Sequence, residues 1–173
     1  MNPVIIKNGT VFQEDKTFAK KNLYIENGRI VEFLPGTSDV SEIDADGLYV
    51  LPGLVDIHSH GAVGQDFSDN NIDGLHKILQ YEYSHGITSY CPTSMTLKKD
   101  EICKIYCKME NWEDQKGMSH VAAFGIPWEE AIAAASMVPA KSIGIFDETG
   151  SLTPGKRADV ILVDKELKLV RVL

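Results

Sequence analysis

Basic residues are scarce in this chain: 17 Lys and Arg stand against 25 Asp and Glu, and the formal net charge at pH 7 is −8. This acidity argues against the phosphate backbone of a nucleic acid, or an anionic membrane, as a partner. No apolar run reaches the roughly 20 residues of a membrane span. No basic stretch precedes the first apolar run, as it would in a signal peptide. We therefore expect a cytoplasmic protein with no nucleic-acid and no membrane partner.

Cysteine is also scarce, with three residues in 173. Cys103 and Cys107 are four positions apart and would share one face of a helix, which leaves a metal-binding pair open. No second cysteine pair is present to complete a four-cysteine zinc site. We interpret these two residues and Cys91 as buried free thiols, because free cysteine is among the most buried residue types.

The two ends of the chain have a β texture. The Asn8-Gly9 and Asn27-Gly28 pairs each lie between β-branched and aromatic residues, a pattern that predicts β-hairpins with type I′ turns. The C-terminal stretch returns to apolar runs separated by turn residues. We therefore predict that residues 1–52 and 145–173 pair as one β-sandwich domain.

The middle of the chain, residues 53–144, has an α/β texture. The run from Leu54 to Ile57 lacks alternation and predicts a buried strand of a parallel sheet. Residues 54–116 read as strand, helix, strand, helix, which makes two βα units, and a further helix follows in "GIPWEEAIAAASMVP". The predicted fold class is α/β, with this segment inserted into the β-sandwich.

Two histidines one residue apart, His58 and His60, end the first of these strands in "LVDIHSHG". Residues i and i+2 of a strand point to the same face, and imidazole is a common zinc or iron ligand. An exposed polar turn is the alternative reading of the same residues. The pair is nevertheless the best candidate metal site in the sequence.

The surrounding motifs resemble one enzyme family. "LPGLVDIHSHG" is similar to the first-strand signature of the amidohydrolase superfamily, and "GSLTPGKRADVILVD" to its return into a β-sandwich. "GAVGQDFSD", "HGITSYCPTSMT" and "FGIPWEEAIAAASMVPAKSIG" resemble the N-acetylglucosamine-6-phosphate deacetylases within that superfamily. The resemblance implies a (β/α)8 barrel in which His58 and His60 bind a catalytic zinc or iron ion. It also implies an amino-sugar phosphate as substrate, hydrolysed to acetate and glucosamine 6-phosphate.

Most of that barrel is missing from the sequence. A (β/α)8 barrel takes about 250 residues, whereas residues 53–144 hold two βα units and one helix. The resemblance implies a further glutamate, two single histidines and a proton-transferring aspartate on later strands, and we can place none of them. No catalytic residue is therefore identifiable. We predict an incomplete barrel, with a deletion junction near residues 117–121, and weak or absent metal binding. Of the remaining candidates, His76 and His85 are expected as surface or helix-end residues, and Glu110, Glu113 and Asp114 as solvated charges at a helix end. No strand is predicted around His120.

Three readings of function follow. The first is an N-acetylglucosamine-6-phosphate deacetylase by resemblance, incomplete and inactive as a lone chain. The second is another amidohydrolase, and the third is a non-enzymatic β-sandwich that acts as a binding or scaffolding module. An incomplete barrel would expose apolar surface that a second copy of the chain could bury. We therefore expect a homo-oligomer. Structural rather than catalytic roles are expected for Asp56, Asp66, Asp69, Trp112 and Trp128, and Lys156 and Arg157 are expected to be solvated residues of a turn.

Overall fold

A computed structural model describes residues 2–34, 36, 39–101, 104–105 and 128–173. The helices are α1 (Ile72–Tyr83), α2 (Trp128–Ala135) and α3 (Met137–Ser142), with a 3-10 turn at Phe67–Asp69; residues 99–101 and 104–105 are also helical. The strands are β1 (Val4–Lys7), β2 (Thr10–Phe12), β3 (Phe18–Lys20), β4 (Leu23–Glu26), β5 (Arg29–Val31), β6 (Ser41–Asp44), β7 (Tyr49–Pro52), β8 (Leu54–Ser59), β9 (Gly61–Ala62), β10 (Gln65–Asp66), β11 (Ile87–Pro92), β12 (Val160–Val163) and β13 (Leu169–Val172).

The described residues contain both helices and strands, which confirms a mixed α/β protein. The chain divides into two compact units. The first unit contains Met1–Leu54 and Val121–Leu173, and the second contains Val55–His120. The domain boundaries expected at residues 52 and 145, and the junction near residues 117–121, remain predictions; the junction lies outside the described residues. None of the helices in the described part of the chain is long and apolar enough to cross a bilayer.

The first unit contains two sheets built from both ends of the chain. One has the strand order β5-β4-β1-β6, and the other has the order β13-β12-β7-β2-β3. The C-terminal segment enters the second sheet through β12, which pairs antiparallel with β7 and sets Ile161 opposite Leu51. The N- and C-terminal segments are therefore paired within one sheet, and their description as a β-sandwich domain remains a prediction.

Side chains of both sheets form one apolar cluster. Ile6 of β1 and Ile25 of β4 belong to it, together with Val11, Val50 and Val160 of the other sheet. The opposite face of the second sheet carries its own cluster, in which Leu51 and Ile161 meet Ile132 and Ala133 of α2. Because both faces of β12 are covered, all four of its residues are buried.

An aromatic group fixes α2 on this unit. The ring of Trp128 stacks on Phe18 at a centroid distance of 5.2 Å and meets the edge of Tyr49 at 4.7 Å. Such aromatic pairs contribute about 0.5–1.5 kcal/mol beyond the burial of their area. Trp128 is thus a packing residue, as predicted, whereas Trp112 lies outside the described residues.

One of the two predicted hairpins is wrong. Asn27-Gly28 joins the antiparallel pair β4–β5, and both residues have positive φ, as a type I′ turn requires. Asn8-Gly9, in contrast, takes the chain from β1 in one sheet to β2 in the other. A Cβ on Gly9 would lie 2.4 Å from Cγ2 of Val50. Close packing of the backbone against β7, rather than a hairpin turn, explains this glycine.

The second unit has the predicted order of strand, helix, strand and helical segment. β8 pairs with β11 in a two-stranded sheet, and α1 buries Leu75 and Ile78. The described residues form no closed barrel. The prediction that Leu54–Ile57 is a fully buried strand is wrong, since Ile57 is 41% exposed. A strand in a two-stranded sheet lacks the neighbours that cover a central strand of a larger parallel sheet.

Candidate metal centre

His58 and His60 lie close together at the end of β8. Strand alternation directs both side chains to one face, and their ring centroids are 5.3 Å apart, with the planes at 83°. His58 is exposed and His60 is half-buried. The backbone N–H of His58 donates to Oδ1 of Asp56 at 2.8 Å. Asp56 therefore has the hydrogen-bonding role expected at a strand end.

Thr93, the residue that follows β11, orients His60. Its Nδ1–H donates to the carbonyl oxygen of Thr93 at 2.8 Å, and the backbone N–H of Thr93 donates to the carbonyl oxygen of Ser59 at 2.8 Å. A carbonyl oxygen only accepts hydrogen bonds, so the proton of the neutral ring is on Nδ1. The lone pair of Nε2 remains for a ligand, which is the usual arrangement of a metal-binding histidine.

The spacing of the two rings suits one small divalent ion. Two imidazoles bound to one tetrahedral zinc ion, with Zn–N distances of about 2.0–2.1 Å, hold their centroids roughly 5 Å apart. The observed 5.3 Å agrees with this value. The donor set therefore fits zinc or ferrous iron, both of which accept imidazole nitrogen.

The rest of a coordination shell is not found in the described part of the chain. Among those residues, no group of three or more His, Cys, Asp and Glu side chains is arranged to hold a metal ion. His76 lies on α1 and His85 follows it, with Nδ1 of His85 2.7 Å from the carbonyl oxygen of Tyr81. The structure brings neither of these histidines into a cluster with His58 and His60.

The acidic residues after the pair have structural roles. Oδ1 of Asp66 accepts from the backbone N–H of Ser68 at 2.7 Å, and Oδ2 of Asp69 accepts from the N–H of Asp66 at 3.2 Å. Together they form a capping box around the 3-10 turn. Other sequence candidates lie outside the described residues, namely His120, Glu110, Glu113, Asp114, Cys103 and Cys107.

A tight hairpin, not foreseen from the sequence, follows the histidines directly. β9 and β10 pair antiparallel around Val63-Gly64, and the φ of Val63 is 48°. A β-branched residue rarely adopts this conformation. A Cβ on Gly61 would lie 2.1 Å from the carbonyl oxygen of Gln65. The glycine at this position was the available signal for the close approach of the two strands.

Of the two basic residues expected in a solvated turn, Lys156 is buried and Arg157 is half-buried. Lys156 is only 8% exposed, and its Nζ lies 3.3 Å from the ring centroid of Phe146 and 3.6 Å from Oε1 of Glu14. Burial lowers the pKa of Lys156. Nη2 of Arg157 donates to Oδ2 of Asp159 at 2.6 Å. The solvated position predicted for Lys156 is therefore wrong.

Two comparisons of sequence point to the same group of enzymes. A model of the amidohydrolase family matches residues 108–172, a stretch that does not include the histidine pair. An N-acetylglucosamine-6-phosphate deacetylase of Caenorhabditis elegans is 33% identical over 97 residues, which are 50% of this chain and 23% of that protein. Dihydropyrimidinase 1 of the same organism is 31% identical over 120 residues, covering 66% of this chain and 24% of that protein. The chain thus spans about a quarter of the length of the curated relatives it matches.

Solved structures show the same fold. N-acetylglucosamine-6-phosphate deacetylase from Pasteurella multocida superimposes with a TM-score of 0.83 at 11% identity, over 99% of this chain and 98% of that chain. At this identity the likeness concerns the fold alone. The matches in sequence and fold together confirm that this chain resembles the N-acetylglucosamine-6-phosphate deacetylases of the amidohydrolase superfamily.

Proposed function

We propose that the chain is a divalent-metal-binding protein of the N-acetylglucosamine-6-phosphate deacetylase type, in which His58 and His60 hold the ion. The single observation that carries this proposal is the paired arrangement of the two rings, with a centroid distance of 5.3 Å. The hydrogen bond from Nδ1 of His60 to Thr93 supports it, because it leaves Nε2 available as a ligand.

Two features of the architecture belong to the same proposal. The two sheets of the first unit form a β-sandwich, a view supported by the apolar cluster to which both contribute. The second unit is an incomplete part of the family's barrel. It supplies the two first-strand ligands without the later glutamate, histidines and aspartate that the resemblance implies.

A bound zinc or iron ion would supply a Lewis acid that lowers the pKa of a water molecule and polarises an amide oxygen. The residues of this chain would orient the two imidazole ligands. β8 directs both imidazoles to one face, and Thr93 fixes the tautomer and the ring plane of His60. Hydrolysis of an N-acetylated amino-sugar phosphate also needs a group that moves a proton to the leaving amine, and we assign that role to none of the residues that the structure describes. We therefore propose metal binding without deacetylation by the isolated chain.

The test measures metal binding and hydrolysis on the same samples. Zinc binding is followed by equilibrium dialysis for the wild-type chain, for His58→Ala and for the helix control His76→Ala. We expect binding by the wild type and by His76→Ala, with loss in His58→Ala. Release of acetate from N-acetylglucosamine 6-phosphate should stay at the level of zinc alone. Acetate release that disappears in His58→Ala would contradict the proposed lack of activity.

A second candidate is another amidohydrolase activity. The identity to dihydropyrimidinase 1, which extends over 66% of this chain, favours it. Ring opening of a dihydropyrimidine, measured beside acetate release, separates the two activities. A third candidate is a non-enzymatic binding module, favoured by the two apolar clusters of the first unit. No zinc retention by a cooperatively folded chain would select this candidate over the metal-binding one.

A further inference from the structure

We infer that the hydroxyl group of Ser68 positions the imidazole of His60 and thereby sets how well this histidine serves as a metal ligand. The inference rests on the metal binding proposed for His58 and His60, and it adds a positioning residue to that site. Hydrogen bonds hold His60 between two segments of the second unit, and the side chain of Ser68 joins these segments to each other.

The first segment is the 3-10 turn, which holds the backbone of His60. The N–H of Phe67 donates to the carbonyl oxygen of His60 at 2.7 Å. The side chain of Phe67 is buried in an apolar cluster with Leu75 of α1. Ser68 follows directly, and its own backbone N–H donates to Oδ1 of Asp66 at 2.7 Å. The turn is therefore a fixed support that does not depend on the hydroxyl group of Ser68.

The second segment follows β11 and contains Thr93, whose carbonyl oxygen accepts from Nδ1 of the imidazole at 2.8 Å. Two hydrogen bonds hold the chain on either side of this carbonyl. The N–H of Thr93 donates to the carbonyl oxygen of Ser59 at 2.8 Å, and the N–H of Met95 donates to Oγ of Ser68 at 2.7 Å. Because peptide units are planar, these two bonds fix the path of the backbone before and after the carbonyl. Loss of either bond would let the carbonyl move away from the imidazole.

The two segments and the histidine form a closed cycle of hydrogen bonds. The cycle runs from the carbonyl oxygen of His60 through Phe67 to Ser68. From the hydroxyl group of Ser68 it continues through Met95 to Thr93, whose carbonyl leads back to the imidazole. Of the three hydrogen bonds in this cycle, one joins two backbone groups and one uses the histidine itself. The third can be removed by a substitution that leaves the histidine in place, and this is the bond to Ser68.

The tautomer of a histidine ligand is set by the partner of its other ring nitrogen. If the carbonyl of Thr93 moves away, Nδ1 loses its acceptor, and the proton can occupy Nε2, the nitrogen proposed to bind the ion. We expect Ser68→Ala to weaken zinc binding about tenfold, at the lower end of the losses found when such partners are changed. Met95 is 48% exposed, so water can replace the hydroxyl group as acceptor and the unit should stay folded.

The test compares four proteins, each as the full chain: the wild type, Ser68→Ala, Ser68→Thr and the control Ser84→Ala. Ser84 belongs to the same unit, but its hydroxyl group donates to the carbonyl oxygen of Tyr81 at the end of α1. Long-range ¹H–¹⁵N NMR correlations report the tautomer of His60 without metal, and equilibrium dialysis gives the zinc affinity. We expect a mixture of tautomers and the weaker binding in Ser68→Ala alone. Ser68→Thr keeps the hydroxyl group and should restore both properties.

The outcomes separate this inference from the proposed function. A wild-type tautomer and a wild-type zinc affinity in Ser68→Ala would overturn the inference and leave metal binding intact. The same losses in Ser84→Ala, or no rescue by Ser68→Thr, would also overturn it. A tautomer that changes in Ser68→Ala, in a chain that binds no zinc, would support the positioning role and overturn the proposed function. If Ser68→Ala fails to fold, amide hydrogen exchange of the wild type decides: the inference requires slowed exchange at Met95, and an unprotected amide would overturn it.

Discussion

Val63 and Asn27 occupy the same position in two β-turns and have nearly identical φ angles. Their φ angles are 48° and 51°, and each is followed by a glycine with a φ of 74°. Asparagine tolerates this left-handed conformation, and Asn-Gly is the favoured pair for a type I′ turn, whereas a β-branched residue is strained there. The hairpin after the histidine pair therefore stores strain that the hairpin between β4 and β5 does not.

We expect Val63→Asn to stabilise the second unit by about 1 kcal/mol, because it relieves the left-handed strain of roughly 1–2 kcal/mol per residue. The matched exchange Asn27→Val should destabilise the first unit by a similar amount. Thermal unfolding measures both changes, with a shift in Tm of about 2–4 °C per kcal/mol for a chain of this size. A loss of stability in Val63→Asn would show that contacts of the Val63 side chain outweigh its backbone strain.

The packing of Gly9 against Val50 leads to a second prediction. A Cβ at position 9 would lie 2.4 Å from Cγ2 of Val50, inside a cluster of fully buried side chains. Gly9→Ala should destabilise the first unit by about 1–3 kcal/mol, the usual cost of overpacking a core. Gly36→Ala is the control, because nothing lies within 4 Å of a Cβ there. Urea denaturation of the two variants should differ clearly; equal midpoints would contradict the close approach of Gly9 to β7.

The sequence was sufficient for the elements whose signals are local. The amphipathic spacing of Leu75 and Ile78 predicts α1, and Asn27-Gly28 predicts the turn between β4 and β5. Non-local features were not accessible in this way. Asn8-Gly9 has the composition of a hairpin turn, but Val50 and the parallel pairing of β2 with β7 decide its role. A turn dipeptide does not indicate which strand its backbone will meet.

In the candidate site, too, the local features were predictable from the sequence and the non-local ones were not. The spacing of His58 and His60 was enough to place both rings on one side of a strand, as observed. The partner of His60 was not predictable, because the carbonyl of Thr93 is 33 residues away and becomes its neighbour only when β8 pairs with β11. The burial of Lys156 was likewise not predictable from its neighbours in sequence. The apolar ring and the carboxylate around its amine come from Phe146 and Glu14, which are distant along the chain.

The hydrogen bond between His60 and Thr93 predicts a definite tautomer. In the neutral, metal-free chain, His60 should have its proton on Nδ1, because the carbonyl oxygen at 2.8 Å can only accept. Long-range ¹H–¹⁵N NMR correlations of the ring distinguish this form from the Nε2–H tautomer. Exposed His58 serves as the internal comparison. An Nε2–H signal for His60 would mean that the hydrogen bond is absent in solution and that Nε2 is not prepared for a ligand.

Lys156 gives a prediction for the dependence of stability on pH. Burial is the main cause that lowers its pKa below the ordinary value of 10.5, while the carboxylate of Glu14 opposes the shift. Between the lowered pKa of the folded state and the ordinary pKa of the unfolded state, the unfolded chain binds more protons. The free energy of unfolding attributable to Lys156 therefore rises with pH across this window, because the cost of the buried charge disappears.

The difference in free energy of unfolding between the wild type and Lys156→Met isolates this contribution. We expect the difference to shift in favour of the wild type as the pH rises from neutral toward the ordinary lysine pKa. Burial raises the pKa of Tyr90 and of Cys91. The free energy of unfolding attributable to these two groups therefore falls as the pH rises over the same range. Their effects are common to both proteins and cancel in the difference. Lys165→Met, at a side chain that is 81% exposed, is the control and should show no such trend. A difference that moves toward the variant at high pH would mean that the attraction of Glu14 outweighs the burial of the amine.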